Sequence, residues 1–211
     1  RTSAEELEWS HDGRRLFLSS PNQLYALAMA GQAGSGAIAK VGDQSRREFV
    51  GVDPWHPAAV LVRERPPQNS PLPKRWRLWR SEIGGRSTLL HEGALQIVDF
   101  ALAPGGALSH LALALGDAHV VVRREAHGGW RALTRCVGWR RCDFLGTRNG
   151  GRDLLIRSSL DGDLLSLAEL GADGALRILH VDPRAELDLE RVVLDPLDNA
   201  PLIAGYGRAT S

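Results

Sequence analysis

The sequence lacks any apolar run long enough for a membrane-spanning helix, which needs roughly 20 such residues. Its longest apolar stretch, ALSHLALALGDAHVVV, is interrupted by Ser109, His110, Gly116, Asp117 and His119. No membrane partner is therefore predicted. The chain begins with Arg1 and shows no basic segment followed by an apolar one, so we expect a mature chain or an excised piece of a longer one. The cytoplasm and the periplasm both stay open as compartments.

An excess of charge of one sign is also lacking. The 26 Lys and Arg residues face 25 Asp and Glu residues, which gives a formal net charge of +1. A chain this close to neutral has no overall field that would favour nucleic acid, so no nucleic-acid partner is predicted. Hydrophobic residues make up 43% of the chain and charged residues 24%, a balance typical of a globular protein and not of a disordered one.

Cysteine is scarce. Cys136 and Cys142 lie six positions apart in CVGWRRC, and the nearest histidine, His127, lies nine residues upstream of the first. This spacing does not suit a structural zinc site, so no metal is predicted. Two free thiols are the favoured interpretation, a disulfide is the second, and metal or redox chemistry is the third.

The sequence does contain an internal repeat, in which a strand, a tight turn and a second strand follow one another. Its five copies are LEWSHDGRRLFLSS, FVGVDPWHPAAVLVRE, VDFALAPGGALSHLALA, CDFLGTRNGGRDLLIRSS and RVVLDPLDNAPLIAGYG. The turn markers Asp12, Asp53, Pro104, Asn149 and Asp195 are separated by 41, 51, 45 and 46 residues. Residues of these types close tight reversals, and the apolar alternation after each turn is typical of strands.

Two more short strands are predicted after most copies. The third strands are NQLYALAMA, RWRLWRSEI, HVVVRRE and GDLLSLAEL, and the fourth strands include RSTLLHE, WRALTRC and ALRILHV. Four strands per repeat of about 46 residues is the signature of a β-propeller blade. We therefore predict an all-β fold with one β-propeller domain over residues 1–211, made of about four complete four-stranded blades and part of a fifth.

Helical alternatives fit less well. The best of them is ELDLERVVLDPL, but Asp195 and Pro196 recur at the turn position of the earlier repeats, so residues 191–194 are predicted as strand. The partial fifth blade indicates a fragment of a larger propeller. An open arc of blades leaves sheet edges uncovered, and we therefore expect the isolated chain to self-associate.

Two stretches carry a resemblance to a known family. WSHDGRRLFLSSPNQLYAL resembles the propeller repeat in which a Trp-Ser-Pro-Asp-Gly turn precedes a Leu-Tyr strand, with His11 in place of the usual proline. That motif is shared with TolB-like propellers. LHVDPRAELDLERVVLDPLDNAPLIAGYG looks more specifically like prolyl-oligopeptidase-family serine peptidases of the acylaminoacyl-peptidase-like branch, and RWRLWRSEIGGRSTLLHEG resembles the same family.

The resemblance implies a seven-bladed parent propeller without chemistry of its own. It would cap an α/β-hydrolase domain of the same parent chain, outside this sequence, and restrict its active site to short peptides. The alternative is a TolB-like or WD-like propeller that binds other proteins as a scaffold. A propeller enzyme with its own site in the central channel is a third and weaker interpretation.

No catalytic or cofactor-binding residue is predicted. The chain has no G-x-S-x-G nucleophile elbow, since GRSTL at residues 85–89 lacks the second glycine. GQAGSGAIAK has Gly31 and Gly36 at phosphate-loop spacing, but Ala37 and Ile38 follow where a Lys and a Ser or Thr are required. We interpret that stretch as a flexible loop between blades. The histidines at positions 11, 56, 91, 110, 119, 127 and 180 are scattered, and each is interpreted as an ordinary surface or core residue.

Three further features are interpreted as structural. The arginines at positions 131, 135, 140 and 141, interleaved with Trp130 and Trp139, suit the solvated face of a strand, with nucleic-acid or peptide-carboxylate binding as alternatives. The prolines at positions 66, 67, 71 and 73 must leave the sheet, in a surface insertion or a loop that reaches a partner domain. The aromatic residues Trp9, Trp55, Trp76, Trp79, Phe17, Phe49, Phe100 and Phe144 are predicted to lie in the core.

Overall fold

The fold is built from antiparallel strands joined by short turns. A computed structural model describes residues 6–20, 23–29, 38–43, 47–67, 69, 71, 73–138 and 140–208, of which 38–43 are described by their backbone alone. The strands form four four-stranded sheets and one two-stranded sheet, and within each sheet consecutive strands are neighbours. This confirms the predicted count of four complete blades and the start of a fifth.

The strand bounds follow the predicted repeat. The first sheet contains β1 (Glu6–Trp9), β2 (Arg15–Ser20), β3 (Gln23–Ala28) and β4 (Ile38–Asp43). The second contains β5 (Arg47–Val52), β6 (Ala59–Glu64), β7 (Trp76–Glu82) and β8 (Ser87–Gly93). The third contains β9 (Ile97–Leu102), β10 (Leu108–Leu115), β11 (Ala118–Arg124) and β12 (Trp130–Val137). The fourth contains β13 (Cys142–Arg148), β14 (Asp153–Ser158), β15 (Ser166–Leu170) and β16 (Leu176–His180), and the fifth contains β17 (Asp188–Leu194) and β18 (Pro201–Gly207).

The three aspartate turn markers, Asp12, Asp53 and Asp195, cap the first hairpin of their sheets with their side chains. Asp12 accepts a hydrogen bond from the backbone N–H of Arg14 at 3.0 Å, and Asp195 accepts one from Leu197 at 2.8 Å. Such Asx turns satisfy backbone donors at the point where the ladder ends. The strand predicted over residues 191–194 is confirmed as part of β17.

Two sequence predictions differ from the structure at element bounds. The stretch GDLLSLAEL forms a strand only from Ser166 onward, because residues 161–165 belong to the preceding loop. Residues 38–40 lie in β4 and not in a loop between blades, whereas Gly31 and Gly36 lie outside the described residues. In both places, turn-forming residues in the sequence show roughly where the chain reverses. The strand itself begins at the residue where pairing with its neighbour starts.

The chain divides into two compact units, residues 1–96 and 97–211. The core of the first unit joins two sheets, with Phe17, Leu24 and Ala26 packed against Phe49, Val60 and Val62. Each large aliphatic or aromatic side chain buried in this way contributes on the order of 1.5–3 kcal/mol. Phe17 and Phe49 therefore confirm the predicted aromatic core, and the partly buried Trp79 packs against it.

Trp9 and Trp55 do not belong to this core. Their side chains are 50% and 37% exposed, respectively, so the prediction that they pack between blades is wrong. Trp9 is at the end of the first strand of its sheet, and Trp55 lies in the turn between β5 and β6.

The core of the second unit joins the third and fourth sheets. Ala101, Val121 and Cys136 pack against Leu154, Ile156, Ala168 and Leu170. Side-chain hydrogen bonds also connect successive sheets at the ends of their first strands or in the turn that follows. Thr147 donates a hydrogen bond to the carbonyl of Leu102 at 2.8 Å, and Asn199 donates one to the carbonyl of Thr147 at 2.8 Å. Side-chain bonds therefore fix the spacing of three consecutive sheets in this unit.

A glycine allows the close approach of the third and fourth sheets. Gly151, at φ +85°, lies so near to Ala103 that an added Cβ would overlap the side chain of that alanine. The neighbouring Gly150, at φ +69°, has open space around it. Of these two glycines, Gly151 therefore combines a left-handed backbone with a steric requirement.

Candidate functional site

Two loops of the fourth sheet lie at the same end of unit 97–211. Because neighbouring strands are antiparallel, the loop from β14 to β15 (residues 159–165) and the loop from β16 to β17 (residues 181–187) both leave this end. The turn from β17 to β18 leaves the opposite end. A cleft of about 360 Å³ lies between the two loops, and we call it the loop cleft.

Hydrogen bonds hold the two loops in place. The backbone N–H of Leu165 donates to the carboxylate of Asp188 at 2.7 Å, and Leu189 donates to the carbonyl of Leu165 at 2.9 Å. On the other side, Arg140 donates to the carbonyls of Ser159 and Leu160, both at 2.7 Å. A charged donor shared by two carbonyls is a strong anchor, so the first loop is fixed at both ends.

The loop cleft combines carboxylates with apolar side chains. Its lining consists of Asp161, Gly162, Asp163, Leu164, Leu165, Ser166, Val181, Asp182 and Ala185. Asp182 accepts hydrogen bonds from the backbone N–H groups of Glu186, Arg184 and Leu187, and these lower the pKa of its carboxyl. The Asp182 carboxylate therefore stabilises its own turn, and its negative charge adds to the electrostatic potential of the cleft.

A second cavity of about 410 Å³ lies beside β18, and we call it the strand groove. It is lined by Arg148, Leu167, Leu179, His180, Pro201, Leu202, Ile203 and Ala204. At this surface, His180 and Tyr206 share a hydrogen bond of 2.5 Å between Nδ1 and Oη. Burial, together with the nearby Asp182 carboxylate, raises the pKa of the Tyr206 phenol.

Buried charges elsewhere have structural partners. Asp53, fully buried, forms an ion pair with Arg80 at 2.5 Å and accepts hydrogen bonds from the N–H groups of Trp55 and His56. Glu169, 6% exposed, pairs with two arginines, Arg148 and Arg177. Burying such charges is tolerated because each is paired and hydrogen-bonded. These groups lock strands together and do not face either cavity as free acids.

A ladder of alternating charge crosses the second sheet. Arg47, Glu64, Arg77 and Glu92 occupy directly paired positions on its four strands and form successive ion pairs. Glu64 also accepts a hydrogen bond from the indole N–H of Trp79 at 2.9 Å. Opposite charges on paired positions stabilise a sheet by a few tenths of a kcal/mol to about 1 kcal/mol each.

His110 is fully buried on β10, and its pKa is strongly shifted. Burial lowers its pKa to about 4, with a further contribution from the nearby Arg123 guanidinium. Its Nδ1 lies 3.1 Å from the hydroxyl of Ser109, and that hydroxyl donates to the carbonyl of Ala101. His110 is therefore a neutral core residue, as the sequence interpretation expected, and it faces neither cavity.

The two cysteines form a disulfide, so the favoured interpretation as free thiols is wrong. Cys136 on β12 is joined to Cys142 on β13, across the connection between the third and fourth sheets. Spacing alone could not decide between the alternatives, because it does not show whether two strand ends meet. The bond connects the last strand of one sheet to the first strand of the next.

The arginine-rich stretch has mainly structural contacts. Arg140 anchors the loop described above, and Arg141 forms an ion pair with Asp143 at 3.0 Å. Arg131 and Arg135 are exposed on β12, as expected for a solvated strand face, and Trp139 lies outside the described residues. The sequence did not predict the loop cleft, although the Asp-Gly-Asp run at residues 161–163 is a turn signal that could have located its first loop.

Within the described parts of the chain, no group of three or more His, Cys, Asp or Glu residues is placed to hold a metal ion. No helix of those parts is long and apolar enough to cross a membrane.

Comparisons with known proteins identify the fold. No protein-family model matches the chain, and no curated protein matches it. Among solved structures, a putative TolB from Agrobacterium tumefaciens matches with a TM-score of 0.59 and 19% identity, over 89% of this chain and 64% of that one. TolB from Acinetobacter baumannii matches with a TM-score of 0.52 and 12% identity, over 84% and 43% of the two chains.

Oligopeptidase B from Leishmania major matches with a TM-score of 0.51 and 12% identity, over 91% of this chain and 28% of that one. This chain thus spans less than two thirds of the length of each of the three structures. At these identities the likeness shows the fold alone. The protein is a β-propeller, with four-stranded sheets as its blades.

Proposed function

We propose that this chain is a non-catalytic propeller scaffold whose partner is an α/β-hydrolase domain of the same parent protein. The propeller caps the hydrolase active site and restricts access to short peptides. The loop end that carries the loop cleft is the surface that contacts the partner. The carrying observation is that Arg140 and Asp188 fix the first cleft loop at both ends, while Asp182 orders the second loop, in each case by hydrogen bonds. Preorganised loops lose little entropy when they bind.

Two further observations support this proposal. The likeness to oligopeptidase B covers 91% of this chain, while 72% of that protein lies outside the match, since 28% is covered. The resemblance of residues 179–207 to prolyl-oligopeptidase-family peptidases points in the same direction.

A second candidate is a TolB-like scaffold that binds a separate protein. It is favoured by the TolB match with a TM-score of 0.59 and by the Cys136–Cys142 disulfide. Stable disulfides are characteristic of oxidising compartments, so the bond favours the periplasm over the cytoplasm. In this case the same loop end binds a partner chain, and no hydrolase domain is attached.

The full reading frame distinguishes the two candidates. A G-x-S-x-G elbow followed by Asp and then His within the next few hundred residues supports the peptidase. If the full-length protein hydrolyses short peptides but not folded proteins, that result supports the gating role. A stop codon soon after the codon for Ser211 overturns it. A stoichiometric partner protein without peptidase activity then supports the second candidate.

Photo-cross-linking locates the contact surface. A benzoylphenylalanine in place of Val181, which is 51% exposed at the loop cleft, should cross-link to the partner protein or domain. The matched control replaces Leu197, which is 86% exposed in the turn at the opposite end of β17. Equal cross-linking at both positions, or cross-linking at Leu197 alone, contradicts the assigned surface.

A further inference from the structure

The disulfide and the loop cleft are connected through the segment between the two cysteines. Cys136 and Cys142 are six positions apart, and Arg140 lies between them. The Arg140 guanidinium donates hydrogen bonds to the carbonyls of Ser159 and Leu160, both at 2.7 Å. Both carbonyls belong to the first loop of the cleft. The disulfide therefore closes a small covalent ring that contains an anchor of the cleft.

The backbone of the same segment adds further hydrogen bonds. The N–H of Arg141 donates to the Ser159 hydroxyl at 3.2 Å, and the N–H of Ser159 donates to the carbonyl of Arg141 at 3.3 Å. Nearer Cys136, the N–H of Gly138 donates to the carbonyl of Asp117, in the turn between β10 and β11, at 3.2 Å. The segment is thus held between a turn of the third sheet and the first cleft loop, with the disulfide joining its two ends.

The covalent ring lowers the entropy that these hydrogen bonds must offset. A short segment closed by a disulfide has few conformations available when its hydrogen bonds open, whereas the same segment without the cross-link has many. Arginine also loses much side-chain freedom when its guanidinium is held in one place. Reduction of the disulfide should therefore weaken the Arg140 anchor, and the first cleft loop should open more often.

We propose that the Cys136–Cys142 disulfide is a redox control of the loop cleft, which holds the first loop closed when oxidised and releases it when reduced. A dithiol reductant supplies the two electrons. One of its thiolates attacks Sγ of Cys142, the partly exposed cysteine, while Cys136 leaves as a thiolate and takes up a proton. The second thiol of the reductant then attacks the mixed disulfide as a thiolate. Cys142 is released as a thiol, and the reductant leaves as its own disulfide.

Amide hydrogen exchange of the unmodified chain tests this control in the oxidised and the reduced protein, with reduction verified by thiol titration. The reporters are the amides of Ser159 and of Leu160, whose N–H donates to the Ser158 hydroxyl. Exchange that does not depend on low concentrations of urea reports local opening and not global unfolding. Reduction should increase this local exchange at least about tenfold, the equivalent of one charge-assisted hydrogen bond. Equal local rates in the two states, or exchange by global unfolding alone in both, overturn the proposal.

Substitution of Arg140 tests whether the effect passes through the anchor. Arg140→Gln should increase the same local exchange in the oxidised protein and have a much smaller effect in the reduced protein, where the anchor is already weakened. The matched control is Arg141→Gln, because the Arg141 side chain pairs with Asp143. Equal effects of Arg140→Gln in the two redox states overturn the proposal, and so does an effect of Arg141→Gln as large as that of Arg140→Gln.

The consequence for binding rests on the proposed function, in which the loop cleft contacts the partner. Because exchange is measured without a partner, its result stands apart from that assignment. In the full-length protein, cross-linking through benzoylphenylalanine at position 181 should decrease on reduction. Faster local exchange with unchanged cross-linking supports the redox control of the loop and contradicts the assigned contact surface.

Discussion

Reduction of the Cys136–Cys142 disulfide should destabilise the protein by an amount that follows from its short loop. The two cysteines are separated by six positions. For a loop of this size, the loss of loop-closure entropy in the unfolded chain corresponds to about 2 kcal/mol at 25 °C. For a domain of roughly 150–250 residues, that change lowers the melting temperature by about 4–8 °C.

The assay is thermal unfolding with and without a non-thiol reductant, together with a thiol titration in denaturant. The oxidised protein should show no reactive thiol and the reduced protein two, because the chain has two cysteines. The control is the Cys136→Ser/Cys142→Ser variant, whose melting temperature should not respond to the reductant. Titration of two thiols before reduction, or an unchanged melting temperature after verified reduction, would refute the reasoning.

Three further predictions concern buried groups. Asp53→Ala breaks a buried ion pair and should lower the free energy of unfolding, measured in urea, by about 3 kcal/mol or more. Asp53→Asn still accepts the turn hydrogen bonds and should lower it by less, so equal values for the two variants contradict the assigned roles. Since the pKa of His110 is about 4 when folded and 6.5 when exposed, only the unfolded chain binds this proton between these values. Stability should therefore fall by about 3 kcal/mol as the pH decreases from 6.5 to 4, and His110→Gln should remove that part of the pH dependence. Gly151→Ala should lower the melting temperature far more than Gly150→Ala, because both residues have positive φ and only the first meets a neighbouring side chain; equal effects would indicate backbone strain alone.

The blade pattern could be predicted because its signals are local. Asp12 and Asp195 cap turns by accepting hydrogen bonds from residues two positions away. Buried and less buried side chains alternate along the first part of β3, a pattern that repeats every second residue. A signal contained within a few residues is visible in the sequence. The bounds at residues 38–40 and 161–165 were less accurate, since a turn signal marks a reversal and not the residue at which pairing begins.

The loop cleft was not predictable in the same way. Arg140 anchors its first loop through carbonyls 19 and 20 residues away, and its two loops are separated by the strands β15 and β16. In the sequence, Arg140 belonged to a basic stretch with several possible roles. Only the packing of the third sheet against the fourth showed that it is a structural anchor.

The sequence by itself determined the all-β class, the number of four-stranded sheets and the position of each tight turn, because these depend on backbone preferences and side-chain alternation between near neighbours. The tertiary structure decided that Cys136 meets Cys142, that Asp53 is buried against Arg80 at a separation of 27 residues, and that Trp9 stays exposed. Each of these depends on which strand lies beside which, and that is set by the burial of apolar faces over the whole unit and not by any short stretch of the chain.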